Sequence, residues 1–435
     1  MFVLKKHFLF VYLCLCFNIC FVPQIWGEVD WSVGKLHEQI VSPPDQITES
    51  VFFGSSVAMS DKYAIIGSKS DNQIETDGGS VSIYEKNDGK LIFVNKFDGD
   101  QKSAKLGTSV ALAGNFAFAG ASSHDLDEGD IGIVYVYQRQ DSGNWTQTQT
   151  LIPDEIENLH NFGCSMTTYN NQLIVGAYGK TKESGKAFIF ELENNQWVQR
   201  HTLEPDEPDI GGRFGCAVDI TKDYAIVGAY LGYGYKGAVY IFQKQEGSWK
   251  QMAFIPSSLD YPSHFGYAVS INEQFAIVGS KGEKQNDIRN TGAVYVYRRN
   301  EHAWEQMSKL VEPNLQKDDK FGVSIDLEGN ILAVGSTKMD SEVEDSGAVC
   351  IYRIEENQIV LLRKIVAKQP QSESSFACSV ALFEDTILIG TEMYKKYRNQ
   401  IGNAYFYSLE SLSPFDGVTG LDEVIHLMKV LSDSP

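Results

Sequence analysis

The sequence is poor in positive charge. Its 435 residues carry 37 lysines and arginines against 57 aspartates and glutamates, a formal net charge of −20. Nucleic acids and anionic membrane surfaces bind proteins that present excess positive charge. The deficit therefore argues against both as main partners and leaves cations, basic proteins and neutral ligands such as glycans. Apolar residues make up 43% of the chain, which is enough for a large core and argues against general disorder.

Long hydrophobic runs are also scarce. One run covers residues 8–22, directly after Lys5, Lys6 and His7. It is short for a membrane span, which needs about 20 residues. We predict that residues 1–27 are a cleaved secretory signal peptide, with an uncleaved anchor as the alternative. No later segment could cross a bilayer, so we expect a secreted, extracellular protein, with Asn144-Trp145-Thr146 as its N-glycosylation sequon.

Metal-binding cysteine patterns are absent. The chain has seven cysteines, three of them within the predicted signal peptide. The other four show no CxxC or comparable spacing: Cys164, Cys216, Cys350 and Cys378. A secreted chain could pair them, but three of the four occupy one position of the repeat described below. We interpret them as small buried strand residues and predict no disulfide.

What the chain does have is a repeat, the feature to seek first in a long sequence. A Phe-Gly-like pair recurs seven times, and a second glycine follows the second position of each pair by 13 residues in every copy. A third glycine opens a further apolar run. The pairs begin at Phe53, Leu106, Phe162, Phe214, Phe265, Phe321 and Phe376, the second glycines are Gly67, Gly120, Gly176, Gly228, Gly279, Gly335 and Gly390, and the third are Gly79, Gly132, Gly185, Gly237, Gly292, Gly347 and Gly402.

Each unit predicts four short strands, named a to d. In the fourth unit, strand a covers residues 214–220, strand b 224–227 and strand c 238–242, with a tight turn between a and b. Strand c is apolar on both faces, as expected of a strand buried on both sides. Strand d often begins with tryptophan and ends near proline. Four strands in each 51 to 56 residues predict an all-β fold, a seven-bladed β-propeller of four-stranded antiparallel blades. A two-layer sandwich would not require seven similar units.

The two ends of the chain predict how the ring closes. The seventh unit lacks its fourth strand, and residues 36–44 match the missing one. Pro44 precedes Phe53 by nine residues, and Pro153 precedes Phe162 by the same number. We therefore expect the N-terminal strand to complete the last blade, which removes exposed sheet edges. The propeller then covers residues 28–407. The tail, residues 408–435, has helical spacing of its apolar residues and is either one short amphipathic helix or a frayed terminus.

These residues resemble the FG-GAP repeat family, known from the N-terminal propeller of integrin alpha subunits. The Phe-Gly pairs, blocks such as Val175-Gly176-Ala177 and strands such as Gly237-Ala238-Val239-Tyr240 carry the resemblance. It implies extracellular recognition or adhesion, although a fold alone does not establish function. One departure matters. Integrin-like repeats insert a calcium loop after the Phe-Gly pair, but here a tight turn fills that interval, so those calcium sites are not carried over.

The functional face is predicted to carry the b–c and d–a loops, which are long and differ between blades. Their aromatic residues are the candidate contacts for a protein or glycan: Tyr178, Tyr230, Tyr233 and Tyr235. Local packing between loops is the alternative interpretation. Asp125, Asp127 and Asp130 are weak calcium candidates, with a solvated acidic loop as the alternative. Acidic d–a loops could also steer a basic partner.

Catalytic patterns are missing too. The eight histidines are scattered, and none recurs with a Ser, Cys or metal-like partner. Residues 141–145 are similar to the Asp-box turn of sialidases but lack the rest of that pattern. We therefore expect a recognition module, not an enzyme, with no cofactor. The alternatives are a hydrolase or lyase with a site at the channel mouth, which convergent carboxylates with perturbed pKa would favour, and a structural coat or matrix protein.

Overall fold

The structure, a computed structural model, describes residues 31, 35–44 and 52–409, with gaps at 127–128, 156–159, 180–183, 302, 342, 371, 373 and 393–401. The predicted signal peptide and residues 410–435 of the tail, with their possible helix, lie outside the described residues. Within the described ranges, no helix has the length and hydrophobicity that a membrane span requires.

The described strands form seven four-stranded antiparallel sheets, and each sheet is one blade. Blade 1 comprises Phe53–Met59, Tyr63–Ser68, Ser80–Asn87 and Lys90–Asp98. Blade 2 comprises Leu106–Ala113, Phe116–Ala121, Ile133–Arg139 and Trp145–Leu151. Blade 3 comprises Ser165–Tyr169, Gln172–Ala177, Lys186–Glu193 and Gln196–Leu203. Blade 4 comprises Ala217–Ile220, Tyr224–Ala229, Ala238–Gln245 and Ser248–Pro256. Blade 5 comprises Phe265–Ile271, Phe275–Ser280, Val294–Arg299 and Trp304–Leu310. Blade 6 comprises Ser324–Glu328, Ile331–Ser336, Ala348–Ile354 and Ile359–Ile365. Blade 7 comprises Phe376–Phe383, Thr386–Thr391, Asn403–Leu409 and Leu36–Val41.

Hydrophobic side chains fill the spaces between adjacent blades. Strand b is buried along its whole length in blade 1, Tyr63–Ser68, and in blade 4, Tyr224–Ala229. Residues on both of its faces are apolar because each face packs against a neighbouring sheet. In blades 3 to 7 the phenylalanine of the Phe-Gly-like pair packs against an aromatic residue of strand c in its own blade. Phe214, for example, packs edge-on against Tyr240 of strand c with 5.2 Å between ring centroids.

Two glycines of the repeat allow adjacent blades to approach closely. A Cβ on Gly176, at the end of strand b in blade 3, would lie 2.0 Å from the carbonyl oxygen of Gly215 in blade 4. Gly215 itself has φ +89, in the left-handed region that favours glycine. The two backbones are therefore in direct contact, which explains why both positions of the repeat are glycine in blades 3 and 4.

The N-terminal strand closes the ring as predicted. Leu36–Val41 pairs antiparallel with Asn403–Leu409, and Ile40 lies opposite Tyr405. The seventh blade thus takes three strands from one end of the propeller and one from the other. Seven blades and this closure confirm the predicted fold.

Three local features differ from the sequence prediction. Strand a of blade 4 begins at Ala217 instead of Phe214, because the Phe-Gly pair lies in a turn closed by the Cys216 N–H and the Arg213 carbonyl. Asp125–Leu126 pairs with Gly129–Asp130 as a two-stranded hairpin where a loop was expected. Gly232–Tyr235, in the b–c loop of blade 4, forms a single irregular helical turn.

Candidate functional site

The b–c and d–a loops meet on one face, as the strand order requires. Arg213, at the end of the d–a loop that enters blade 4, contacts Tyr178 of the b–c loop of blade 3 and Tyr230 of the b–c loop of blade 4. The Asp209 carboxylate, in the same d–a loop, accepts a hydrogen bond from the Tyr233 backbone N–H. These contacts join the predicted contact loops of blades 3 and 4 into one surface.

Tyr178 and Tyr230 form the inner part of this surface. The Arg213 guanidinium carbon lies 5.0 Å from the centre of the Tyr178 ring and 5.4 Å from that of Tyr230. Such cation–π contacts stabilise the pair by about 0.5–2 kcal/mol. Tyr230 also packs edge-on against Tyr267, 5.3 Å away, and His264, 5.5 Å away. Both inner tyrosines therefore take part in packing between adjacent loops.

Burial holds both inner phenols in their neutral form. It raises the pKa of Tyr178 to about 12 and also raises the pKa of Tyr230, while the nearby Arg213 charge opposes the shift in each case. A neutral phenol both donates and accepts hydrogen bonds. The Tyr230 hydroxyl already accepts one from Arg213 Nη1.

Tyr233 and Tyr235 form the outer part and point to solvent. Tyr233 is 49% exposed and Tyr235 65% exposed. Tyr233 lies 6.1 Å from Phe254, an exposed residue of strand d in blade 4. Ile210, in the neighbouring d–a loop, is 70% exposed. Four exposed large hydrophobic residues thus lie in blade 4 or in the d–a loop that enters it. We call them the outer aromatic patch: Ile210, Tyr233, Tyr235 and Phe254.

The b–c loop that carries Tyr233 and Tyr235 is conformationally strained. Tyr233, Gly234 and Tyr235 all have positive φ, at 51, 69 and 70 degrees. Bulky residues other than glycine rarely adopt this region, and such strain concentrates at functional sites. The contact between Asp209 and the Tyr233 N–H holds the loop in place.

The sequence reasoning missed a group of cations close to the inner tyrosines. Lys281 Nζ lies 3.1 Å from the centre of the Tyr267 ring. Burial, reinforced by the charge of Lys320, lowers the pKa of Lys281 to about 7. Burial and the same two lysines lower the pKa of His264.

Their positions in the repeat could have revealed these cations. Arg213, His264 and Lys320 each stand directly before the phenylalanine of a Phe-Gly pair, and each has positive φ. Lys281 and Tyr230 each stand two residues after the second glycine of their unit. Equivalent repeat positions lie at equivalent radii in a propeller, so these residues all lie near the point where strands a begin and strands b end. We call this site the channel mouth.

An axial cavity of about 300 Å³ is lined by strand a of all seven blades. The residue five positions after the first residue of each Phe-Gly-like pair contributes to it in every blade. These seven residues are Ala58, Ala111, Thr167, Asp219, Ser270, Asp326 and Ala381. Polar residues occupy blades 3 to 6 and alanine the other three, so the channel has a polar side and an apolar side.

Two carboxylates on the polar side tie neighbouring blades together. Asp219 Oδ2 accepts hydrogen bonds from the Ile271 N–H, 2.7 Å, and the Ser270 hydroxyl, 2.9 Å, both in blade 5. Asp326 Oδ2 accepts one from the Leu382 N–H of blade 7, 2.6 Å. Burial raises the pKa of Asp219 to about 6 and that of Asp326 to about 7, and the backbone donors partly offset the shift.

The weak calcium candidates stay a prediction. Asp125 lies in the two-stranded hairpin, where its backbone exchanges hydrogen bonds with the Gln101 side chain. Asp127 lies outside the described residues, as does the side chain of Asp130. In the described part of the chain, no three His, Cys, Asp or Glu side chains are grouped to hold a metal ion.

The four cysteines beyond the predicted signal peptide are free thiols. The three that share a repeat position lie close to backbone carbonyls; Cys216 Sγ, for example, is 3.3 Å from the Gly228 oxygen. Burial raises the pKa of Cys164 to about 11 and that of Cys216 to about 12. Cys350 and Cys378 lie in strands, as predicted, whereas Cys164 and Cys216 directly precede strand a of their blades. Cys350 is buried and the other three are half-buried.

Comparisons with known sequences show limited similarity to integrins. Integrin alpha-11 of Homo sapiens is 26% identical over 201 residues, which cover 40% of this chain and 16% of that protein. Integrin alpha-11 of Mus musculus is 27% identical over 195 residues, which cover 38% of this chain and 16% of that protein. The alignment therefore spans only a small part of each relative.

Solved structures share the fold at low identity. A protein from Lactobacillus plantarum superposes with a TM-score of 0.53 and 13% identity, covering 77% of this chain and 97% of its own. The WD40 domain of coronin from Toxoplasma gondii gives a TM-score of 0.56 and 9% identity, covering 88% of each chain. At these identities the likeness shows the fold alone.

The FG-GAP repeat profile matches five segments: residues 41–84, 145–190, 197–242, 251–297 and 304–352. Together they make up more than half of the chain and fall on the repeat units described above. With seven blades, the Phe-Gly turns and these five matches, the chain belongs to the FG-GAP repeat family.

Proposed function

We propose that the protein is a secreted recognition module, not an enzyme, that binds an extracellular protein or a glycan through its b–c and d–a loops. The observation that carries the proposal is the outer aromatic patch. Exposed tyrosines provide large and rigid contact area at low entropic cost, and they are enriched in binding surfaces. Here the Asp209 carboxylate, which accepts a hydrogen bond from the Tyr233 backbone N–H, fixes the loop that presents them.

The similarity to integrin alpha-11 supports the proposal that this protein lies outside the cell and binds an extracellular protein. It does not name the ligand, since the aligned segment covers 16% of that protein. Cell adhesion is the biological role that fits the family resemblance.

The test is a partner screen with the mature protein, by pull-down and glycan array, followed by loop variants. Replacing Tyr178, Tyr230, Tyr233 and Tyr235 together with alanine should abolish partner binding. Because the outer pair is exposed, Y233A/Y235A alone should account for most of the loss, at least tenfold in Kd. A hot-spot aromatic residue contributes about 2 kcal/mol or more to binding.

A matched control lies on the opposite face. Tyr169 is 39% exposed and ends strand a of blade 3, at an a–b turn. Y169A should leave partner binding unchanged. Unchanged binding by the fourfold tyrosine variant would refute the proposal.

The second candidate function, a hydrolase or lyase, draws support from the axial carboxylates. Asp219 and Asp326 have raised pKa and line one cavity, as catalytic acids often do. However, their oxygens accept hydrogen bonds from backbone N–H groups of neighbouring blades, which gives them a structural role. Hydrolysis of a chromogenic glycoside or ester by the wild-type protein, lost in D219N and D326N, would establish the enzymatic alternative.

A further inference from the structure

Four blades carry a tryptophan near the start of strand d, and one of the four is only half-buried. The other three are buried and pack edge-on against the aromatic residue that begins strand b of the preceding blade. These pairs are Tyr63 and Trp145, Phe116 and Trp197, and Tyr224 and Trp304. Trp249 of blade 4 is half-buried, and strand b of blade 3 begins with Gln172, which donates a hydrogen bond to Glu191. Blade 3 therefore has no aromatic ring at the position that covers the other tryptophans.

A groove lies beside Trp249 on the outer rim of the propeller, where strand d is the outermost strand of each blade. It has a volume of about 380 Å³ and lies between the strands d of blades 3 and 4. Small-molecule sites typically enclose about 300–1,000 Å³. Among the residues that line the groove are Glu204 and Asp206, in the d–a loop after blade 3, and Phe242, Trp249 and Gln251 of blade 4.

Two polar groups of the groove are held side by side. The Asp206 backbone N–H donates a hydrogen bond of 3.1 Å to Gln251 Oε1. This contact leaves the Asp206 carboxylate and Gln251 Nε2 without a partner among the described residues. Gln251 follows Trp249 by two residues on the same strand, so both lie on one face with about 7 Å between their Cα atoms. The groove thus offers an acceptor and a donor next to an indole ring.

We propose that this groove binds a neutral sugar residue of a glycan. The apolar C–H face of a pyranose ring would pack against Trp249, which provides a large and rigid apolar surface. One hydroxyl of the sugar would donate a hydrogen bond to the Asp206 carboxylate, and a second would accept one from Gln251 Nε2. The inference goes beyond the proposed function, because the four loop tyrosines do not line this groove.

The groups in the groove favour a neutral sugar over a basic side chain. Lysine and arginine side chains cannot accept a hydrogen bond, so they would leave Gln251 Nε2 unpaired, whereas a hydroxyl both donates and accepts. Lys244 Nζ already lies 5.9 Å from the centre of the Trp249 ring, where it would repel a second cation. The other carboxylate of the groove, Glu204, forms an ion pair of 2.6 Å with Lys186. An acidic sugar would be repelled by the unpaired Asp206 carboxylate.

The experiment uses simple sugars, so that it does not depend on knowing the glycan. The mature protein would be labelled with 5-fluorotryptophan and titrated with the methyl glycosides of glucose, galactose, mannose and N-acetylglucosamine. The fluorine NMR signal that disappears in Trp249→Phe reports on Trp249. We expect at least one glycoside to shift that signal, and N-acetylarginine N-methylamide to bind at least tenfold more weakly than this glycoside.

Variants locate the site. Asp206→Ala removes the acceptor at an exposed loop position and should weaken glycoside binding at least fivefold without changing the melting temperature. Gln251→Glu keeps the oxygen that accepts from the Asp206 N–H but removes the donor, and it should weaken binding by a similar factor.

The preceding pair of blades provides a matched control. The Asp154 N–H donates to Gln199 Oε1, also at 3.1 Å, beside the buried Trp197. Asp154→Ala should bind the glycoside like wild type, because the tryptophan there is covered by Phe116.

Four results would overturn the inference. They are the absence of any shift of the Trp249 signal with all four glycosides, wild-type affinity in Asp206→Ala, an equal loss of affinity in Asp154→Ala and Asp206→Ala, and tighter binding of the arginine probe than of every glycoside. The proposed function is tested separately, since it fails only if the tyrosine variants retain partner binding. The two failures are therefore distinguishable.

Discussion

The Tyr407 hydroxyl donates a hydrogen bond of 2.6 Å to Glu38 Oε2, joining residues 369 positions apart in the chain. Glu38 lies opposite Tyr407 in the pairing of the closing strand with strand c of blade 7. The Lys368 N–H also donates to Glu38 Oε2, at 3.3 Å. One carboxylate therefore connects the N-terminal strand, the last blade and the segment between blades 6 and 7.

Deleting residues 28–45 should abolish cooperative unfolding. The deletion removes the closing strand, which leaves the edge of Asn403–Leu409 unpaired and opens the ring. Thermal denaturation followed by circular dichroism would check this. A truncated protein that melts like the full-length one would refute closure by this strand.

Tyr407→Phe should destabilise the protein by about 1–3 kcal/mol, since it removes a buried hydrogen bond to a charged group. Glu38→Gln should cost less, because the amide oxygen can still accept the bond from Tyr407. Urea denaturation measures both free energies of unfolding. Equal stability of Tyr407→Phe and wild type would show that closure depends on the backbone pairing alone.

The axial carboxylates predict a pH-dependent stability. Folding raises the pKa of Asp326 from its ordinary value of 3.8 to about 7, so between these pH values the folded state binds more protons than the unfolded state. Stability contributed by this group is present at low pH and is lost as pH rises through about 7. At about 1.4 kcal/mol per pKa unit, the loss is at most about 4 kcal/mol.

Asp326→Asn isolates that contribution. The free energy of unfolding of Asp326→Asn minus that of wild type should be larger at pH 8 than at pH 5. Asp219→Asn should show a smaller difference of the same sign. Asp61→Asn, at an exposed turn, is the control and should show no such difference. A margin for Asp326→Asn that is independent of pH between 5 and 8 would contradict the burial argument.

The free thiols should be protected in the native protein. Because burial raises the pKa of Cys216 and Cys378 to about 12, both are protonated at pH 8 and poorly nucleophilic. Iodoacetamide should label them only after unfolding in urea, and a reductant should leave the melting temperature unchanged. Mass spectrometry counts the labels; a disulfide among these cysteines would show the prediction to be wrong.

The fold could be predicted from the sequence because its constraints recur in every unit. The second glycine follows the pair by a fixed interval since a Cβ at Gly176 would collide with the backbone at Gly215. The closing strand was recognisable because Pro44 repeats the spacing of the internal strands. These steric requirements conserve the same glycine spacing in all seven units, so comparison of the units is enough to find it.

The candidate site could be predicted only in part, because it depends on differences between the units. The sequence grouped four tyrosines, whereas the structure places Tyr178 and Tyr230 against Arg213 and leaves Tyr233 and Tyr235 exposed. Side-chain partners between loops of different blades have no sequence spacing to reveal them. Asp326 could have been found by aligning the units, where it replaces the alanine of blades 1, 2 and 7.

The pairing of Leu36–Val41 with Asn403–Leu409 also bears on biosynthesis. The strand synthesised first has its hydrogen-bonding partner among the last residues of the propeller to be synthesised. Until then the nascent chain exposes the apolar flanks of its first and most recent blades, for which chaperones have affinity. Ring closure therefore waits until Asn403–Leu409 has been synthesised, and a ribosome stalled within the seventh blade would hold a propeller that cannot close.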